Sequence, residues 1–96
     1  MRKIVYAGAT FYTGDDIAAA LLEYAVALAR AGSSATANFP GRTTSGMIAR
    51  LDVVFGPASQ VVSEPVELFG PEIVDRGAVA GLKELTARLV PRAATA

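Results

Sequence analysis

The 96-residue chain has no histidine, no cysteine and no tryptophan. Without cysteine there are no disulfides, thiolate nucleophiles or thiolate metal ligands, a composition that fits a reducing compartment such as the cytoplasm. Without histidine, a general acid or base must be Asp, Glu, Lys or Tyr, and a nucleophile must be Ser, Thr, Lys or a carboxylate. Net charge is also missing: nine Lys and Arg balance nine Asp and Glu. The cations are scattered from Arg2 to Arg92 with no run, which argues against nucleic acid as a partner, because phosphate binding depends on clustered cations.

Long apolar runs are absent as well. The longest apolar helical stretch, 17–31, is interrupted by Glu23 and Arg30 and is shorter than the ~20 residues that span a bilayer. Gly8, Thr10 and Thr13 break the start of the chain before it could serve as an export signal. What is present in quantity is apolar surface, 52% of residues with a mean hydropathy of +0.39. That is enough for a self-supporting core, with a surplus expected at an interface.

Periodicity predicts a single α+β domain over residues 1–91 with a flexible tail over 92–96. Residues 2–13 are β-branched and aromatic around Gly8, and read as a bulged strand or a tight hairpin. Asp15 and Asp16 open a helix to Ala31, and Gly32 follows as its stop. Residues 35–39 alternate as a strand that Pro40 ends or marks as an edge, and 41–46 form a polar loop bounded by glycines. Met47, Ala49, Leu51, Val53 and Phe55 then fill alternate positions of the clearest strand. A turn at 56–59 returns the chain as a strand over 60–65, and Pro71-Glu72 or Asp75 opens a second helix that Pro91 stops. The expected fold is a small antiparallel or mixed sheet of four or five strands with two helices on one face, in the order β(β)-α-β-β-β-α.

The first helix holds the main functional signal. Its apolar arc covers at least half of the wheel, whereas a helix lying on a sheet needs one stripe. Either the second helix covers the surplus stripe, or Ala18, Leu22, Val26 and Ala29 form a self-complementary patch across a two-fold axis, giving a homodimer. The clearest strand has a mixed outer face, Ile48, Arg50, Asp52 and Val54, suited to solvent or to a sheet contact.

Two other constellations carry chemistry. The loop 41–46, with Arg42, Thr43, Thr44 and Ser45, has the composition of an anion cradle, with Arg50 on the neighbouring strand, and would take a small phosphorylated or carboxylate ligand. Asp15, Asp16, Tyr12 and Asp52 are the candidates for acid-base work, although Asp15 and Asp16 also fit ordinary helix capping. No spacing matches a metal site or a cofactor motif. The leading expectation is therefore a non-enzymatic homodimeric protein-interaction module, with a small-molecule or anion-binding module as the alternative and carboxylate or Tyr catalysis third.

Overall fold

A computed structural model describes residues 1–67 and 70–91. The expected tail, 92–96, lies outside the described residues. The elements are β1 (Arg2–Tyr6), β2 (Ala9–Thr13), α1 (Asp15–Ala31), β3 (Ala35–Arg42), β4 (Ile48–Phe55), β5 (Val61–Pro65) and α2 (Arg76–Arg88). The strands form one antiparallel sheet in the order β4-β3-β2-β1-β5, and with the two helices this is the α+β fold read from the sequence.

Residues 2–13 resolve as a hairpin with a two-residue turn. Tyr6 pairs with Ala9, and Ala7 and Gly8 both take positive φ, 52° and 79°. This sense of turn matches the twist of the flanking strands. Its cost falls on Ala7, whose Cβ crowds the left-handed region that Gly8 enters freely.

The third strand runs three residues beyond its expected last residue, Phe39, through Pro40 to Arg42 with β2 and β4 on its two sides, so Pro40 neither ends it nor marks a sheet edge, and the expected loop is correspondingly shorter. Pro40 is tolerated because it lies opposite Arg50 at a position where β3 directs no hydrogen bond to β4. Its carbonyl turns the other way and accepts from the Thr13 hydroxyl at 2.8 Å. Gly41 must be glycine, since a Cβ there would come within 2.6 Å of Leu51 Cδ1 and 2.9 Å of the Tyr12 carbonyl. Beyond the single pair Tyr12↔Arg42 the hairpins β1-β2 and β3-β4 diverge. Ring contacts then join them, Phe11 with Phe39 at 5.5 Å and Tyr6 with Phe55 at 5.1 Å.

Helix α1 is amphipathic, with Ile17, Leu21, Tyr24 and Leu28 on one face, all buried against Ile4, Phe11 and Phe39. Each such aliphatic side chain contributes about 1.5–3 kcal/mol when fully buried. Gly32 closes the helix at φ 63°, with its N–H on the Ala29 carbonyl and the Ser33 N–H on the Leu28 carbonyl. Its N-cap, Gly14, has no side chain to offer. Glu72 substitutes for one, accepting from the Asp15 N–H at 3.1 Å. Of the two expected starts for α2, Asp75 is the one used, and its Oδ1 accepts from the Ala78 N–H at 2.9 Å.

Candidate functional site

The apolar stripe of α1 divides along its length. Ala18 is fully buried inside its own chain, and Leu22 is half-buried. Val26 is 51% exposed and Ala29 is exposed. Helix α2 packs with Leu82 buried and with Val79 and Leu89 partly buried against the core, so it covers the flank of α1 nearer Ala20. It leaves a groove of about 530 Å³ lined by Leu22, Val26, Ala27, Leu89 and Pro91, with Glu23 and Arg30 at its rim. The second helix therefore borders the surplus stripe without closing over it. Leu89 and Pro91, the latter read from sequence as a helix stop, are the groove's other wall.

The 43–46 turn is knitted to itself. The Thr43 N–H donates to the Met47 carbonyl, the Gly46 N–H to the Thr43 carbonyl, and the Met47 N–H reaches the Thr43 hydroxyl at 3.3 Å. The Thr43 and Ser45 hydroxyls bond to each other at 2.8 Å, and Thr44 is exposed. Arg42 donates to the Gly46 carbonyl at 2.8 Å. Arg50 is engaged with the Asn38 side-chain oxygen and with Asp75 at 3.4 Å. An anion drawing on Arg42, the Thr43 and Ser45 hydroxyls or the Thr43, Gly46 and Met47 amides would have to displace these bonds.

The acid-base candidates are divided between two places. Asp15 and Asp16 line a cleft of about 360 Å³ where α1 and α2 begin, together with Glu72, Asp75 and Lys83. Asp52 lies on β4, accepting from the Asn38 amide at 2.6 Å, and borders a separate cleft with Tyr6 and Phe11. Tyr12 stands at the junction of β2 and β3. Among the described residues no three acidic side chains gather in a geometry that holds a metal ion.

Two of the carboxylates that line the first cleft are already engaged. The Met1 ammonium donates to Asp15 Oδ1 at 2.7 Å and to Glu72 Oε2 at 3.2 Å. The hydrogen bond to Asp15 is the main cause that raises the amine's pKa above its usual value, with Glu72 adding to it and burial opposing. Asp15 and Glu72 thus tie the first strand and the segment before α2 to the start of α1. The pairings of Asn38 and Asp75 with Arg50 and of Glu72 with Met1 carry no local sequence signal, since each is made only through tertiary folding.

Comparison of the chain with protein-family models, with curated proteins and with solved structures finds no match.

Proposed function

We propose that this domain acts through protein contacts rather than catalysis, and that its first partner is a second copy of itself, meeting through Leu22, Val26 and Ala29 of α1. The observation that carries this reading is the half-exposed Val26 beside an open apolar groove, on a helix whose opposite face already fills the core. Small residues at Ala19 and Ala29 would let two helices approach closely about a two-fold axis. Glu23 and Arg30 flank the groove with opposite charges, so an antiparallel helix pair brings each near its complement.

The separation of Asp52 from Asp15 and Asp16 counts against carboxylate catalysis, and the engagement of Arg42 and of the Thr43 and Ser45 hydroxyls within their own turn counts against a preformed anion site. The test is the native mass of the chain and of Leu22→Glu and Val26→Glu. Both positions face the groove, so the charge costs little folding stability but is costly to bury in an interface.

A further inference from the structure

The edge of β4 turned away from β3, which Tyr6 meets at Val54, carries a self-complementary order of residues. Which of its backbone groups are free follows from the hairpin. The Thr43 N–H bonds to the Met47 carbonyl at 2.9 Å, and hydrogen-bonded pairs alternate with non-bonded ones along an antiparallel ladder. The register Arg42↔Ile48, Pro40↔Arg50, Asn38↔Asp52 and Thr36↔Val54 therefore comprises the non-bonded pairs. Two contacts agree with that alternation. The Pro40 carbonyl turns away from β4 to Thr13, and the Val54 carbonyl turns away from β3 to the Tyr6 hydroxyl at 2.6 Å. The N–H and C=O groups of Ile48, Arg50 and Asp52 face outward from the sheet.

The two edges of the sheet are unequal. β5 has five residues and ends in Glu64 and Pro65, devices that discourage further pairing. β4 has eight residues and no proline, and its Ile48 and Val54 are 59% and 61% exposed.

We propose that β4 pairs antiparallel with β4 of a second copy about a two-fold axis through Leu51. The outward-facing residues in order are Ile48, Arg50, Asp52 and Val54. Turned about Leu51, this order places Arg50 opposite Asp52 of the second copy, twice. Ala49 then faces Val53, and Leu51 meets its own mate. Other placements lose this match. An axis at Arg50 or Asp52 opposes like charges, which is destabilising directly across a ladder. An axis at Ala49 or Val53 sets Arg50 against Ile48 or Asp52 against Val54. An axis between residues opposes an outward-facing residue to one turned toward β3.

The Tyr6 hydroxyl holds the Val54 carbonyl and ends the ladder there, so its hydrogen-bonded centre is the Arg50 and Asp52 pair with its symmetry mate. Asn38 and Asp75 hold the exposed Arg50 guanidinium in place and lower the entropy of ordering it against the second copy. This contact rests on the reading that the chain self-associates, but it uses a different element from α1.

The test places cysteine on the axis. The chain has no cysteine of its own, so Leu51→Cys gives a single reporter, with exposed Thr36→Cys on β3 as the comparison. Residues facing each other in a non-bonded pair have the Cβ spacing a disulfide needs, so mild oxidation links Leu51→Cys chains at least about tenfold faster than Thr36→Cys chains. A second measurement uses charge. Arg50→Asp and Asp52→Arg each oppose like charges when alone, but complement one another when mixed, raising association at least about tenfold over either variant by itself. Equal linking rates at the two cysteine positions, or a mixture that associates no better than its components, overturns the proposal. Since α1 is unaltered in every one of these variants, that result leaves the α1 contact standing, and a failure at Val26 leaves this one standing.

Discussion

The Thr13 hydroxyl donates to the Pro40 carbonyl at 2.8 Å, just past the Tyr12↔Arg42 pair that joins β2 to β3. A side chain takes over where the backbone ladder stops, and Thr13 is fully buried in doing so. Thr13→Val keeps the shape and removes the donor, leaving the carbonyl without that partner. The expected loss is about 1–3 kcal/mol of unfolding free energy, read as a lower urea midpoint with an unchanged slope. A midpoint equal to that of the unaltered chain would mean that water satisfies Pro40 equally well.

Gly14 and Gly81 make a contrasting pair. A Cβ at Gly14 would come within 1.8 Å of the Ile73 carbonyl oxygen, a backbone atom that cannot swing aside. Its φ of −65° suits any residue, so the requirement for glycine is purely one of space. Gly14→Ala is expected to destabilise by more than about 3 kcal/mol or to prevent folding, as severe overpacking does. Gly81 lies inside α2 with open space around it. Gly81→Ala is expected to stabilise by about 0.5–1 kcal/mol, through helix propensity and lower unfolded-state entropy. Thermal unfolding followed by circular dichroism checks both.

Ala7 sits at φ 52° beside Gly8 in the β1-β2 turn. Asparagine tolerates the left-handed region and, followed by glycine, is the preferred pair for this turn. Ala7→Asn is expected to raise stability by about 0.5–1 kcal/mol, with Tyr6 still packed on Phe55. A lower melting temperature would show that Ala7 has a packing role that its exposure does not suggest.

Most of the fold was legible in the sequence because its signals are local. The alternation from Met47 to Phe55, the pair Asp15 and Asp16, and Gly32 each mark an element by short-range chemistry. Pro40 misled because its missing N–H disqualifies it only where a ladder bond is needed, and that depends on register with Ile48 and Arg50. The α1 stripe was legible as a surplus, but its division was not. That Ala18 is buried while Val26 is half exposed follows from where α2 lies, and no periodicity within α1 encodes this. The same holds for Glu72, which reaches Asp15 across the fold and caps a helix far from it in the chain.

The most direct measurement is the native mass by light scattering of the chain and of Val26→Glu, from about 1 to 100 micromolar so that mass action shows as a drift. Self-association through α1 predicts a mass rising to at least twice 9.9 kDa for the unaltered chain, and a lower mass at equal concentration for Val26→Glu with its circular dichroism unchanged. A mass of 9.9 kDa for the unaltered chain throughout, or identical masses for the two proteins, contradicts it.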